Sequence, residues 1–324
     1  MSRLALVADL GGTNVRFALA DADRTGLLRP ESIRRFRVSD FPSLSMAALH
    51  YRAELEVWPR HALFAVAGRV EREQVAITNH PWHIEIEATR RHLELERLDV
   101  LNDFAVLGRA LPLLDDDDLR AIGPALPDWT GEGDRCCAVL GPGTGLGVGA
   151  LLRRRRALLA LPSEGGHVGF APTDALQIEL LQRLRGRFGR VSTERLISGP
   201  GLANVHQALA EIAGMRATLL SPAAITAGAR DDDALCRQSV AVCLDLLADF
   251  AGDLVLAFGA WDGAYLAGGL VRELWPWLSP ERFRQRFEAK GRFTETMTRV
   301  PLAAIVHPEA GLFACAALAL AAGE

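Results

Sequence analysis

The chain has almost no lysine: Lys290 is the only one in 324 residues. A P-loop needs a lysine between a glycine and a Ser or Thr, so that the ammonium group reaches the phosphates. Lys290 is followed by Gly291 and Arg292, so it cannot serve in such a loop. A Schiff-base mechanism would have to use the same lysine, which lies in a polar stretch without a recognisable motif. The sequence therefore excludes a P-loop nucleotide site.

Cysteines are also few, and none of the five stands in a Cys-x-x-Cys spacing. A disulfide framework and a zinc knuckle are not indicated, and we expect reduced, buried thiols. Long apolar runs are missing too. Leu4–Ala8 is too short for the apolar region of a signal peptide, and no run reaches the length of a membrane-spanning helix. We expect a cytoplasmic protein with no membrane partner.

The net charge is small, −4 at pH 7, with a pI near 6.1. A balance this close to neutral gives no general attraction to nucleic acid, so a small-molecule partner is favoured. Hydrophobic residues make up 49% of the chain and charged residues 23%, which is typical of a globular protein with a large core. At 324 residues, two domains are expected.

Extended and helical segments alternate along the first third of the chain, which is the pattern of an α/β fold. The later part is mainly helical, after a change of character between Leu114 and Asp134. The chain ends with a predicted strand, Ala303–Val306, and an apolar helix, Leu312–Ala322, which we expect to fold back onto the first domain. The other predicted strands are 4–9, 15–20, 35–38, 62–67, 75–78, 99–101 and 264–267, and the early predicted helices are 44–57 and 88–98.

Two segments read alike, each an apolar strand, a Gly/Thr turn and a second apolar stretch. The turns are Asp9–Asn14 and Gly141–Gly145. Each predicts a hairpin whose tip lets a phosphate approach backbone N–H groups closely, because glycine carries no Cβ; a plain tight hairpin is the alternative. Two such tips suggest two domains that hold one polyphosphate. Asp9 stands at a strand end, where a carboxylate can hold Mg²⁺ through water.

The segment Gly145–Ala150 also matches the dinucleotide-binding pattern Gly-x-Gly-x-x-Ala. That pattern needs a helix directly after the glycines, within a βαβ unit. Here strand-type residues follow the glycines, so the match is one of form only.

Several polar side chains stand where an alcohol could bind. Asn102 and Asp103 follow a predicted strand and open a predicted helix, whose positive dipole end favours an ionised Asp103. Glu164 and His167 are separated by two glycines, which expose both side chains to a ligand, and Glu194 lies in a separate loop. Such carboxylates, with an amide and an imidazole, can accept and donate hydrogen bonds to the hydroxyls of a sugar. Taken singly, Asn102 could be a helix cap and Glu194 a surface acid.

An ordered set of motifs now resembles one family, the bacterial glucokinases of the non-zinc type. The resemblance covers nearly the whole chain and begins at Asp9-x-Gly-Gly-Thr-Asn14. The later motifs are Leu101-Asn-Asp-Phe104, Gly141-x-Gly-Thr-Gly-Leu-Gly147, Leu161-Pro-Ser-Glu-Gly-Gly-His167, Ile197-Ser-Gly-Pro-Gly201 and Leu266-Ala-Gly-Gly269. The zinc motif of the related repressor and sugar-kinase family is absent.

The resemblance implies an α/β protein with the two-domain actin-like ATPase (ribonuclease H-like) fold and a ligand cleft between the domains. The smaller domain would hold residues 1–112 with 304–324, and the larger domain residues 113–303. It implies ATP-dependent phosphorylation of glucose at the 6-hydroxyl, giving glucose 6-phosphate and ADP, with ATP and Mg²⁺ bound. A homodimer without nucleic-acid partners is expected.

Residue by residue, the resemblance makes Asp103 the catalytic base. Sugar binding falls to Asn102, Asp103, Glu164, His167 and Glu194. The resemblance assigns binding of the phosphates, Mg²⁺ and the adenosine to Asp9, Gly11, Gly12, Thr13, Asn14, Gly141, Gly143, Thr144, Gly268 and Gly269. In this assignment, Asp9 holds the metal through water. The sequence departs from the family pattern at Arg69, Pro142 and Gly169, none of which removes an assigned chemical group.

Without a P-loop lysine, the phosphate charge must be met by Mg²⁺ and backbone N–H groups, so a strict metal requirement is expected. Two alternatives remain open from the sequence. The chain could phosphorylate another hexose, such as mannose or fructose, or it could be a non-catalytic sugar sensor that kept the fold. No helix-turn-helix extension or basic face for DNA is visible.

Overall fold

The computed structural model describes residues 4–71, 73–77, 82–155, 157–216 and 218–321. The chain divides into two compact units. The first unit runs up to Leu114 and resumes at His307, and the second runs from Asp115 to Val306. The last strand, expected to fold back onto the first domain, instead belongs to the second unit, because it pairs with a strand of that unit's sheet.

The first unit is built on a five-stranded sheet in the order β3-β2-β1-β4-β8, with a separate three-stranded sheet β5-β6-β7. Elements are numbered along the chain. Its strands are β1 Leu4–Leu10, β2 Asn14–Asp21, β3 Arg34–Arg37, β4 His61–Val66, β5 Gly68–Glu71, β6 Gln74–Ile77, β7 His83–Glu85 and β8 Arg97–Asn102, and its helices are α1 Leu44–Arg52, α2 Ile86–His92, α3 Asp103–Ala110 and α11 Ala310–Ala321.

The second unit contains a six-stranded sheet in the order β12-β11-β10-β13-β14-β9. Its strands are β9 Leu119–Ala121, β10 Arg135–Pro142, β11 Leu146–Arg154, β12 Ala157–Ser163, β13 Gly263–Leu266 and β14 Leu302–Ile305. Its helices are α4 Ala175–Phe188, α5 Gly199–Ile212, α6 Pro222–Arg230, α7 Ala234–Phe258, α8 Gly269–Leu274, α9 Pro280–Glu288 and α10 Thr294–Met297.

Both large sheets repeat one arrangement. In the first unit, β1 pairs antiparallel with β2 and parallel with β4, and β4 pairs parallel with β8. In the second, β10 pairs antiparallel with β11 and parallel with β13, and β13 pairs parallel with β14. The two predicted Gly/Thr hairpins are therefore confirmed as β1–β2 and β10–β11. The two units therefore share one arrangement of strands around their hairpins.

Apolar side chains explain the positions of these strands. In β1 nearly every residue is buried, and β4 is buried from Ala62 to Val66, as expected for strands that are covered on both faces. In the second unit, the 25-residue helix α7 is apolar along most of its length and packs against β10 and helices α5, α6 and α9. Each unit thus has its own hydrophobic core.

Lys290, the lone lysine, has a structural place in the second unit. Its ammonium group donates to the backbone carbonyl of Asp249 (2.8 Å) and pairs with the Asp253 carboxylate (2.7 Å). Its side chain is only 5% exposed, and a Cβ at Gly252 would lie 2.4 Å from its Cε. The lysine therefore fastens the segment after α9 to helix α7, which agrees with its exclusion as a phosphate ligand.

All five cysteines are free thiols, as predicted. Burial raises the pKa of each, so none is activated as a nucleophile. Cys136 is partly buried, and the other four, Cys137, Cys236, Cys243 and Cys315, are buried. In the part of the chain that the structure describes, no helix is both long and apolar enough to cross a membrane.

Candidate active site

The tip of the first hairpin leaves its backbone open. The last strand pair is Leu10 with Val15, and the Gly11 N–H closes the turn on the Asn14 carbonyl (2.9 Å). A Cβ added to Gly11 would make only an ordinary contact, 3.7 Å from that carbonyl. Neither packing nor a left-handed backbone conformation requires glycine at position 11. The bare glycine instead leaves room beside the turn for a ligand.

The second tip is surrounded by three parts of its unit. The Gly143 N–H donates to the Gly145 carbonyl (2.8 Å), and the Gly143 carbonyl accepts from the Gly199 N–H (2.7 Å). Gly199 is the first residue of α5, so the start of this 14-residue helix lies against the tip. A Cβ at Gly143 would meet nothing within 4 Å. The first N–H groups of α5 are already engaged, because Gly199 donates to Gly143, Pro200 has no N–H, and Gly201 donates to the Ser198 hydroxyl. The positive end of the helix dipole is therefore what favours an anion here.

Gly268 brings the third segment to this tip. Its φ is +91°, and a Cβ there would lie 2.6 Å from the Pro142 carbonyl oxygen. Both the backbone conformation and the close approach therefore require glycine at this position. The structure thus collects Gly141, Gly143, Thr144, Gly268 and the start of α5 at one end of the second sheet.

Asp9 lies within β1, one residue before the strand ends at the first tip. Its carboxylate pairs with the Arg16 guanidinium, which also pairs with Glu309 through Nη1 and Oε2 (2.7 Å). The two acids outweigh the opposing effect of burial and raise the pKa of Arg16 above its ordinary value. Arg16 and Glu309 were not predicted as part of the site, because Glu309 is 293 residues away from Arg16.

Asn102 and Asp103 lie where β8 ends and α3 begins. The Asn102 carbonyl oxygen accepts from the Phe104 and Ala105 N–H groups (both 3.0 Å), and its amide donates to the Gly68 carbonyl (3.2 Å). Asn102 is therefore the N-cap of α3. One amide hydrogen remains beyond these bonds for a ligand.

The first sheet places Asp9 and Asn102 at one edge. Asp9 pairs with Ala65 of β4, Ala65 pairs with Leu101 of β8, and the three strands are parallel. Since neighbouring strands lie about 4.8 Å apart, β1 and β8 are separated by about 10 Å. Asp9, the first tip and the Asn102–Asp103 pair therefore stand at the carboxyl ends of neighbouring parallel strands, where ligands of α/β sheets bind.

Glu164, His167 and Glu194 come together in the second unit. His167 Nε2 lies 3.9 Å from Glu164 Oε2, and His167 Nδ1 lies 4.0 Å from Glu194 Oε1. Glu164 is 58% exposed and His167 46%, whereas Glu194 is 19% exposed. Sequence alone predicted Glu164 and His167 as polar candidates in one loop and Glu194 in a separate loop, and the structure brings the three within reach of one small ligand.

The Glu194 carboxylate is fixed by the second hairpin. Its Oε2 accepts a hydrogen bond from the Leu146 N–H (2.9 Å), and a Cβ at Gly145 would lie 2.6 Å from the same oxygen. The hairpin that carries the second tip therefore also positions an acid of the polar cluster Glu164–His167–Glu194.

A close packing, a hydrogen bond and a β-bridge hold the loop that carries Glu164 and His167. A Cβ at Gly166 would lie 2.1 Å from the Leu146 carbonyl oxygen, so this position must remain glycine for the loop to rest on β11. Arg190 donates to the His167 carbonyl (2.7 Å). Gly169 forms a bridge with Ser192, which joins this loop to the one carrying Glu194.

The three departures from the family pattern have different surroundings. Pro142 ends β10 opposite Leu146 and supplies the carbonyl that excludes a side chain at Gly268. Gly169 faces open space, with nothing within 4 Å of a Cβ placed there. The backbone of Arg69 lies in β5, and its side chain falls outside what the structure describes.

Comparison with known proteins agrees with these motifs. A family model described as glucokinase matches residues 6–322. The glucokinase of Stenotrophomonas maltophilia (strain R551-3) is 46% identical over 320 residues, which cover 98% of this chain and 95% of that protein.

Solved structures show the same fold. The crystal structure of a glucokinase from an Antarctic psychrotroph matches with a TM-score of 0.83 at 34% identity, over 98% of this chain and 99% of that one. A glucokinase of the ROK family from Streptomyces griseus, crystallised with glucose and AMPPNP, matches with a TM-score of 0.67 at 19% identity, over 98% and 99% of the two chains.

Gly166→Ala should destabilise the second unit, because the new Cβ would meet a backbone oxygen that cannot rotate away. We expect a loss of about 1–3 kcal/mol in the free energy of unfolding, the usual cost of overpacking. Urea unfolding measures the loss. Gly169→Ala, which adds a Cβ in open space on the same loop, is the matched control, and equal stability of the two variants would contradict the packing described for Gly166.

Proposed function

We propose the following roles for individual residues of this chain, which belongs to the glucokinase family, in the ATP-dependent phosphorylation of glucose. The reaction transfers the γ-phosphoryl group of ATP to the 6-hydroxyl and yields glucose 6-phosphate and ADP. The observation that carries the residue assignments is the bond between the Leu146 N–H and Glu194. It joins a hairpin suited to phosphates to a polar cluster suited to hydroxyls.

Glucose is held by Asn102, Asp103, Glu164, His167 and Glu194. The carboxylates accept hydrogen bonds from sugar hydroxyls, and the remaining amide hydrogen of Asn102 can donate one. Glu194 is the most fixed of the three groups in the polar cluster, because the Leu146 N–H already holds one of its oxygens. Its other oxygen, Oε1, lies on the side of His167.

ATP is held by the two tips and the glycine pair. The backbone of Gly11, Gly12, Thr13 and Asn14 and that of Gly141, Gly143 and Thr144 surround the phosphates, and Gly268–Gly269 lies beside the adenosine. Because Gly11 and Gly143 donate their N–H groups within their own turns, these two glycines contribute room for the phosphates rather than a hydrogen bond. The start of α5 beside Gly143 supports this assignment, since it adds the positive end of a helix dipole. The exclusion of Lys290 leaves these backbone groups as the main protein contribution.

The residues present fit a magnesium ion that is carried by the nucleotide. Among the described residues, no group of three or more His, Cys, Asp or Glu side chains could form a protein cage for a metal. Mg²⁺ in kinases usually keeps waters and takes one or two carboxylates besides the phosphates, and Asp9 is a suitable carboxylate. Bound there, the ion would neutralise charge on the transferring phosphoryl group.

Asp103 is the catalytic base. The glucose 6-oxygen forms a bond to the γ-phosphorus while the bond from that phosphorus to the bridging oxygen of ADP breaks, and the hydroxyl proton passes to the Asp103 carboxylate. Such transfers depend chiefly on positioning and charge stabilisation, and an ionised aspartate that accepts the proton late is sufficient. The Asp103 Oδ1 accepts from the Phe104 N–H (2.9 Å), which fixes the carboxylate at the start of α3.

The oligomer and the location are further proposals. We infer a homodimer in the cytoplasm from the family resemblance. The relatives named glucokinase do not favour the two alternatives, a kinase of another hexose or a non-catalytic sensor.

ADP release tests the reaction directly. The purified chain with Mg²⁺ and ATP should form ADP rapidly when glucose is added and only slowly without it, and EDTA should abolish the glucose-dependent rate. Mannose and fructose, assayed in parallel, should be poorer substrates. Glucose binding by calorimetry with no ADP formation would instead identify a sensor.

Asp103→Asn should lower kcat by about 10²–10⁴-fold, the usual contribution of a general base, because the amide cannot take up the proton. The substitution keeps the size of the side chain, so glucose binding by calorimetry should persist. Asp99→Asn changes another carboxylate on the preceding strand β8 and should leave kcat unchanged. Near-normal turnover of Asp103→Asn would refute its role as the base.

Gly145→Ala should weaken glucose binding without a change in the residues that touch the sugar. Its Cβ would displace the Glu194 carboxylate and break the bond to Leu146. We expect the KM for glucose to rise by about 5- to 150-fold, equivalent to the roughly 1–3 kcal/mol of a charged hydrogen bond, as in Glu194→Gln. Gly143→Ala is the control on the same tip: it should affect the KM for ATP and leave that for glucose unchanged.

A further inference from the structure

Arg16 is a cation held between two acids. Its Nη2 donates to Asp9 Oδ2, and its Nη1 donates to Glu309 Oε2 (2.7 Å). The three side chains are 19%, 17% and 26% exposed for Arg16, Asp9 and Glu309, respectively. Two carboxylates and one guanidinium leave this triad with one net negative charge, which suits the approach of a cation.

The backbone of helix α11 lies close to Asp9 Oδ2, the oxygen that also accepts from Arg16. A Cβ added to Gly311 would lie 2.4 Å from Asp9 Oδ2, 2.7 Å from Asp9 Cγ and 3.3 Å from Asp9 Oδ1, so Oδ2 is the nearer oxygen. Arg16 and the backbone of α11 therefore both engage the Oδ2 side of the carboxylate. Rotation of the Asp9 side chain is restricted from two directions, and Oδ1 is the oxygen left to meet a ligand.

Glu309 fixes Arg16 in turn. An arginine paired with a single carboxylate could move with that carboxylate when a metal binds or leaves. A guanidinium that is hydrogen-bonded to two acids is held in one geometry. Glu309 lies just before α11, and Gly311 lies within the first turn of that helix. The terminal segment therefore supplies both the carboxylate that pairs with Arg16 and the backbone that lies beside Asp9.

We propose that Arg16 and Glu309 are positioning residues that hold Asp9 in the one orientation that serves the magnesium–nucleotide complex. The inference rests on the proposed function, in which Asp9 meets the metal. When a residue that hydrogen-bonds to a metal ligand and orients it is replaced, the affinity for the metal commonly falls by about 10- to 100-fold. A purely structural ion pair would change stability and leave the metal dependence of nucleotide binding unaltered.

The test measures nucleotide binding without turnover. Calorimetry with AMPPNP, a non-hydrolysable analogue of ATP, gives the Mg²⁺ concentration for half-maximal binding. Glu309→Gln and Gly311→Ala should each raise that concentration by about tenfold or more, while the KM for glucose stays near the wild-type value. Gly311→Ala should also lower the thermal midpoint, because its Cβ overlaps the Asp9 carboxylate, so the magnesium dependence is the deciding readout. Arg16→Gln should have a larger effect, and Arg16→Lys should recover only part of it, because an ammonium group cannot form the two-sided fork.

Matched controls come from features without a link to Asp9. Arg34→Gln breaks a surface pair with Glu54 in the same unit, and Gly186→Ala adds a Cβ to a helix in open space. Neither should alter the magnesium dependence. If Arg16→Gln does not fold, Glu309→Gln and Gly311→Ala decide the question.

Asp9→Asn separates the two levels of the argument. If it leaves the magnesium dependence unchanged, the assignment of Asp9 in the proposed function is wrong and the inference falls with it. If Asp9→Asn shifts the dependence while Glu309→Gln and Gly311→Ala do not, the positioning role alone is overturned.

Discussion

The backbone pairing of each Gly/Thr hairpin with the parallel strand beside it is the constraint on which both units depend. Asp9 in β1 pairs with Ala65 in β4, and Leu140 in β10 pairs with Leu266 in β13. Because the paired strands are parallel, whatever follows them emerges at the same edge as the hairpin tip. The Gly268–Gly269 pair follows β13, and the Asn102–Asp103 pair stands at the end of β8, which pairs parallel with β4. Both pairs therefore reach their positions by backbone hydrogen bonding that is independent of their own chemistry.

Local patterns predicted most of the strands, although β5, β7 and β9 were not predicted. The alternation of apolar residues and the Gly/Thr turns indicated both hairpins, and motif order indicated the fold that the solved structures share. Helix ends were less accurate, because apolar spacing continues past the real stop. The predicted helix 88–98 ends at His92, since Leu98 belongs to β8, and the predicted helix 44–57 ends at Arg52. Helices α6, α9 and α10 were not predicted.

The site was only partly accessible from sequence. Glu164 and His167 share a short glycine-containing loop, which sequence can recognise, but their approach to Glu194 depends on the packing of Gly166 against β11. The Arg16–Glu309 contact joins opposite ends of the chain and exists because α11 packs on the first sheet. No local pattern records such a contact, and a glycine such as Gly311 looks like any helix glycine until the Asp9 carboxylate is placed beside it.

The burial of Lys290 has a practical consequence for chemical labelling. The chain has a single side-chain amine, and that amine is spent on Asp249 and Asp253 beneath the surface of the second unit. Acylating reagents and amine-directed cross-linkers would find no lysine on the exterior. Amine-directed attachment to a support or a probe would then depend on the α-amino group, whereas carboxyl- and guanidinium-directed reagents could use exposed side chains. Acetylation of lysine side chains likewise has no exposed target on the folded chain.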